Sequence, residues 1–314
     1  MRAAVYDRYG PPSVLEVRDV PAPAPRRGEV LVRVRAAALN PKDLLVRAGK
    51  LRWASGRRFP KYVGYDWAGE AVAIGPGVTG VRAGDALYGM IQAMRGGACA
   101  EYAAVKAGEC APIPAGLDFE RAAAIPLAAQ TALQALRDLG RVGRGARVLV
   151  NGASGGVGVF AIQVAKALGA RVTTTSSAPN LEQCRALGAD EALDYAAVDA
   201  LATGARYDVV FDVFGNRRFA DARRALDAGG VYVSTVLRAH VFAAVLRTAV
   251  LARRRARLVV VRSNRADLER VARLVEGGEV RPVIDSVFPL ADIAAASERL
   301  ATKHARGKVV VRVA

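Results

Sequence analysis

The sequence predicts an α/β protein in which a β-rich N-terminal part is joined to a doubly wound parallel sheet. Three observations carry this. The first 115 residues read as short strands punctuated by Gly and Pro. From about Asp118 strand and helix patterns alternate, as a parallel sheet with helices on both faces requires. One strand–helix junction, "VLVNGASGGVG", carries a glycine turn. At 314 residues the chain fits about two domains.

The elements follow in order. "EVLVRVRAAAL" has the alternation of a strand, and "AGEAVAIGPGVTGVRAGDALYGMI" reads as two strands joined by a Gly-Pro turn. "CAEYAAVKAGECAPIP" is a further short-strand region. "DFERAAAIPLAAQTALQALRDLG" has helical period and ends at Gly140. Strands are then expected at 147–151, 171–175, 191–194, 207–212, 230–234 and 257–262. The tail, "RADLERVARLVEGG", "RPVIDSVFPL", "ADIAAASERLATKHA" and "GKVVVRV", reads as helix, strand, helix and final strand. It is expected to return to the first domain.

Composition excludes several classes. No run of 18 apolar residues is present, so no membrane span is expected. The N-terminus "MRAAVYDRYG" lacks the apolar core of a signal peptide. Cys99, Cys110 and Cys184 are scattered, which favours a reducing cytoplasm over a disulfide framework. The formal charge of +17 comes from 39 Arg and 7 Lys against 29 acids. Eight arginines and no acid lie between Leu237 and Arg265. They read as a patch for polyanions or anionic lipid head groups, or as a solvated loop or the rim of an anionic cofactor site. Nucleic acid is not the expected partner, because no aromatic residues interleave them.

The turn Ala153-Ser154-Gly155-Gly156-Val157-Gly158 is a GxGxxG arrangement with Ala in the first place. Gly155 lets backbone approach a pyrophosphate, Gly158 lets the helix pack against the strand, and the helix N-terminus offers free N–H groups. A tight turn without ligand is the alternative, but the whole βαβ context fits within about 30 residues, as dinucleotide binding requires. The second strand ends in Thr175-Ser176-Ser177 with no acid before Glu182. Hydroxyls can donate to a 2′-phosphate that a carboxylate would repel, so NADP is the expected cofactor, the alternative being a Ser that merely caps the following turn.

"ALNPKDLLVRAG", "GYDWAGEAVAIGPGV", "GDALYG", "AAIPLAAQTALQAL", "NGASGGVG", "LGADEALDY", "DVVFDVFG" and "HARGKVVVRV" together resemble the medium-chain dehydrogenase/reductase superfamily. Within it the chain resembles the zinc-independent, zeta-crystallin-like quinone oxidoreductase branch. The resemblance covers essentially the whole chain. It implies a GroES-like catalytic domain, residues 1–117 and 265–314, and a Rossmann NADP-binding domain, residues 118–264. It also implies a cofactor cleft between them and a homodimer.

The resemblance also assigns residues. Asn40, Tyr65 and Gln130 stand where zinc-dependent relatives carry Cys, His and Cys, so no metal is expected. Asn40 and Asp43 belong to the family's "NPxD" element at the active-site cleft, although Asp43 could simply cap the following helix. Tyr65 is a possible proton or hydrogen-bond donor. Thr131 falls where a family Thr reaches the nicotinamide, and Tyr195 where a family Tyr contacts the 2′-phosphate, although Tyr195 could be a core aromatic. Asn180 replaces the family's phosphate-binding Lys, a departure for which Arg185 or Lys303 could compensate. Leu45 and Leu51 replace pocket tyrosines and imply an apolar mouth. The expected activity is hydride transfer from NADPH to a small hydrophobic quinone or α,β-unsaturated carbonyl, acceptors activated by their own conjugation. An NADPH-binding scaffold with little catalysis is the alternative.

Overall fold

The computed structural model describes residues 1–250 and 252–313. The chain divides into two compact units. One comprises Met1–Leu127, Arg262–Glu276 and Pro282–Ala314; the other comprises Ala128–Val261 and Gly277–Arg281.

The first unit is built on a seven-stranded sheet. Its order is Ile284–Pro289, Lys308–Arg312, Glu29–Ala38, Asp66–Ile74, Ala86–Met90 and Cys110–Pro112, with Tyr102–Lys106 also paired to Glu29–Ala38. The pair formed by Ile284–Pro289 and Lys308–Arg312 is parallel, and the other pairs are antiparallel. The tail strand therefore returns to the N-terminal sheet, as expected of the tail. Val30, Val32 and Val34 alternate inward to join Trp67, Leu39 and Leu87 in the core. The small side chains of Ala36, Ala37 and Ala38 then let the sheet bury all three positions. Register converges at one end: Ala38 faces both Asp66 and Val310, and the Leu39 N–H donates to Val309 O at 2.9 Å.

The second unit holds a six-stranded parallel sheet in the order Glu191–Asp194, Arg171–Ser176, Arg147–Asn151, Tyr207–Asp212, Leu226–Ser234, Arg255–Leu258. This is the doubly wound sheet that the alternating pattern predicts. Order reverses beside Arg147–Asn151, which is where such folds bind ligands, outside the carboxyl ends of the strands. The central strand is buried through Val148, Leu149 and Val150, and the helix Gly156–Ala167 covers it with Phe160, Ile162 and Val164.

Two expectations need correction. The long helix after Asp118 is three pieces: Phe119–Ala123, Pro126–Leu133 and a π-helical Gln134–Leu139. Pro126 has no N–H to continue the first piece and opens the second. The last parallel strand is Arg255–Leu258 rather than 257–262. Its ladder ends where the neighbouring strand ends at Ser234, whose carbonyl takes the Val259 N–H. The apolar run at 259–261 looks like a strand in sequence but has no further partner strand to pair with.

Candidate functional site

In the first unit, the "NPKD" element starts the helix Pro41–Arg47. Asp43 binds backbone with both carboxylate oxygens: Oδ2 accepts from Asn40 N–H and Oδ1 from Gly64 N–H, each at 2.8 Å. It thus caps its own helix and ties it to the segment that leads to Tyr65. Burial pushes its carboxyl up to about 6, against the pull of those two N–H donors.

The Asn40 side chain turns away from the cap. Its amide donates to Asp66 Oδ2 at 3.0 Å, and its Oδ1 accepts from the Lys308 ammonium at 2.5 Å. Lys308 also meets Asp66 Oδ2 at 3.0 Å, while Asp66 Oδ1 accepts from Leu127 N–H at 2.8 Å. All three side chains are buried, with relative exposures of 2, 0 and 3% for Asn40, Asp66 and Lys308.

Tyr65 is buried, and its hydroxyl donates to Met94 O at 3.2 Å. Burial, with Asp43 next in effect, holds its phenol well above the usual tyrosine range, so it stays a neutral donor. The Lys42 ammonium lies 3.7 Å from the centre of its ring, and burial lowers the Lys42 pKa from its ordinary value. Leu45 is partly exposed on the same helix.

The donor chemistry here does not fit zinc. Asn40 is committed to Lys308 and Asp66, Tyr65 to a carbonyl, and a buried ammonium neutralises the nearby carboxylate. Tetrahedral zinc wants thiolate and imidazole. Among the described residues no group of three or more His, Cys, Asp or Glu is placed to hold a metal ion.

In the second unit, the glycine turn fits a dinucleotide phosphate. Gly152 leaves the strand with φ of 82°, a conformation natural to glycine. Ala153 is buried, and its N–H donates to Thr175 O at 3.1 Å. Gly155 caps the helix Gly156–Ala167; a Cβ there would meet nothing nearer than Gly152 O at 3.7 Å, so the space beside it is open. Gly158 is the opposite case. A Cβ there would lie 2.3 Å from Gly152 O, so only glycine lets the helix pack this close. Gly156, Val157 and Gly158 lie in the first turn, whose N–H groups have no intrahelical acceptor.

The serines form a rim around this turn. Ser176 Oγ donates to Ser154 Oγ at 2.8 Å. The Asn180 amide donates to Ser154 Oγ at 3.2 Å and Ser177 Oγ at 3.0 Å, and its buried Oδ1 has no partner. Asn180 therefore organises hydroxyls where the family places a cation. Tyr195 is 55% exposed, which excludes a core role, and its N–H donates to Ser176 O at 3.1 Å. Thr131 is buried on Pro126–Leu133. Arg185 stands 3.7 Å from Glu182, and Lys303 belongs to the first unit, with φ of 61° after the helix Ile293–Ala301.

Three residues were missed in the sequence. Lys42 and Lys308 stood inside quoted motifs, "NPKD" and "GKVVVRV", beside residues that were singled out. Asp212, in "FDVFG", accepts from Asn151 Nδ2, Gly215 N–H, Arg217 N–H and Tyr232 OH at 2.7–3.0 Å. It fixes the loop at the carboxyl edge where strand order reverses.

Residues 26–115 match the family model described as alcohol dehydrogenase GroES-like domain, and residues 187–311 the one described as zinc-binding dehydrogenase. Over 322 residues the chain is 33% identical to a chloroplast envelope quinone oxidoreductase homolog of Arabidopsis thaliana, covering 99% of this chain and 98% of that protein. It is 36% identical to an NADPH-dependent alkenal/one oxidoreductase, chloroplastic, of the same plant, covering 99% and 79%. The solved quinone oxidoreductase from Coxiella burnetii superposes with a TM-score of 0.92 at 34% identity, covering 100% and 99%. The chain belongs to the zinc-independent quinone oxidoreductase branch of the medium-chain dehydrogenase/reductase superfamily, with a GroES-like domain and a Rossmann domain. No helix among the described residues is long and apolar enough to cross a membrane.

Proposed function

We propose that this protein is an NADPH-dependent reductase of quinones and of the C=C bond of α,β-unsaturated carbonyls. The observation that carries this reading is that Asn40 and Tyr65, at two of the zinc positions, are already hydrogen-bonded, Asn40 to Asp66 and Lys308 and Tyr65 to a backbone carbonyl, and cannot polarise a simple ketone as a metal would. Two relatives, by their names, act as quinone or alkenal/one oxidoreductases, and one is NADPH-dependent.

Bound NADPH supplies the hydride. The first-turn N–H groups of Gly156–Gly158 would hold its pyrophosphate, with Gly155 leaving room. Ser154, Ser176, Ser177, Asn180 and Tyr195 would face the 2′-phosphate ribose, and Thr131 the nicotinamide. Residues 1–117 and 265–314 form the catalytic domain in this reading, and 118–264 the cofactor domain. Asn40 and Asp43 position that catalytic surface. The Lys42 ammonium lies over the Tyr65 ring, and we assign these two donors to the acceptor oxygen. The buried free thiols of Cys99, Cys110 and Cys184 support a reducing cytoplasm, and family membership supports a homodimer.

The test is NADPH oxidation measured against a matched panel of quinones, enones, saturated ketones and alcohols, before and after chelation. Quinones or enones should lead, with activity unchanged by the chelator. Saturated ketones or alcohols as best substrates would sink the proposal. Tight NADPH binding with no turnover on any acceptor would replace it with a cofactor-binding scaffold.

A further inference from the structure

The arginine-rich stretch does more than decorate a loop. The helices Phe219–Ala225 and Ala239–Arg247 flank a cavity of about 690 Å³ in the second unit. Arg218, Arg223, Arg247, Arg253 and Arg254 line it, and no acid does. Among the described residues none of these five is ion-paired; Arg247 and Arg254 use only Nε, each donating to a backbone carbonyl, Ala243 O and Leu226 O. His240 also lines the cavity, and its buried Nε2 has no hydrogen-bond partner. The wall is otherwise apolar, with Phe219, Ala220 and Ala244. A second, 580 Å³ cavity shares Ala220, Arg223 and Arg254 and adds Arg206 and Arg224.

Like charges gathered around one space repel, and among the described residues no acid pairs with them. Guanidinium forks match the oxygens of a phosphate in pairs, and the apolar wall matches a hydrocarbon. The volume is that of a small-molecule site. We propose that this cavity binds a phosphorylated molecule carrying an apolar arm, separately from the glycine turn.

The experiment titrates NADPH-saturated protein, so that the glycine turn is already filled, with octyl phosphate and with inorganic phosphate by calorimetry. Octyl phosphate should bind saturably with one site per chain and more tightly than inorganic phosphate. Arg223→Ala and Arg247→Ala should each weaken it by about tenfold, the size of one charge-assisted hydrogen bond. Arg57→Ala removes the same charge from an exposed position elsewhere and should change nothing. Ala220→Trp, which keeps every charge, should erase the advantage of octyl phosphate over inorganic phosphate. Unchanged NADPH affinity reports that each variant is folded. Phosphatidylcholine vesicles with and without phosphatidylserine separate the sources. Arg223-dependent attachment to the anionic vesicles assigns a lipid headgroup, and octyl phosphate binding without attachment assigns a soluble phosphate. Absence of saturable binding, or an equal loss in Arg57→Ala, overturns the proposal in favour of unspecific attraction to a basic protein.

Discussion

The Lys308 ammonium lies 3.0 Å from the Asp66 carboxylate, in a site where neither side chain is more than 3% exposed. The two residues stand 242 positions apart, on strands that both pair with Glu29–Ala38. Asn40, two residues beyond that strand's end, bridges them. A charge pair this deeply buried is tolerated because its polar atoms are hydrogen-bonded.

Removing one partner should therefore be severe. Lys308→Met leaves Asp66 buried with its charge uncompensated and should lower unfolding free energy by about 3–5 kcal/mol. Adding Asp66→Asn should restore part of that loss. Urea unfolding of the two single variants and the double variant measures the coupling; simple additivity would show that the pair does not act as a unit.

The two glycines of the turn should fail differently. Gly158→Ala puts a methyl against the Gly152 carbonyl and should lower the melting temperature as well as NADPH affinity. Gly155→Val meets open space at its Cβ and should leave the melting temperature nearly unchanged while abolishing NADPH binding. Scanning calorimetry and cofactor titration on both variants decide this. A folded Gly155→Val variant that binds NADPH normally would move the pyrophosphate elsewhere.

Cofactor preference rests on the serine rim. Ser176→Asp places a carboxylate beside Ser154 and Tyr195 and should narrow or reverse a preference for NADPH over NADH. The ratio of the two dissociation constants is the measurement. An unchanged ratio would remove Ser176 from the 2′-phosphate site.

Asp43 should leave a mark on stability against pH. Its carboxyl has an ordinary value of 3.8 and is raised to about 6 by burial in the folded protein. Between about pH 4 and 6 the folded state holds the extra proton, so stability falls as pH rises through this window and levels off above it. The change is roughly 3 kcal/mol. The difference in unfolding free energy between wild type and Asp43→Asn should carry this slope, and a flat difference would contradict the assignment.

Much of this was legible in the chain itself. The glycine turn, the serine rim with Asn180 and Tyr195, and the parallel strands are contiguous or nearly so. Their residue types answer local requirements: no room for a Cβ at Gly158, a free N–H row after Gly155, apolar strands flanked by turns. Pro126 also announced its break, although an apolar helical period masked it. Only the tertiary structure joined Lys308 to Asn40 and Asp66, turned both Asp43 oxygens onto backbone, set Lys42 over Tyr65 and gathered arginines from two helices and a loop around one cavity. The reason is physical. Backbone geometry and side-chain size act over a few residues and leave periodic traces in a sequence. The placement of a charge depends on which distant strands pair, and in what register, and no local pattern encodes that.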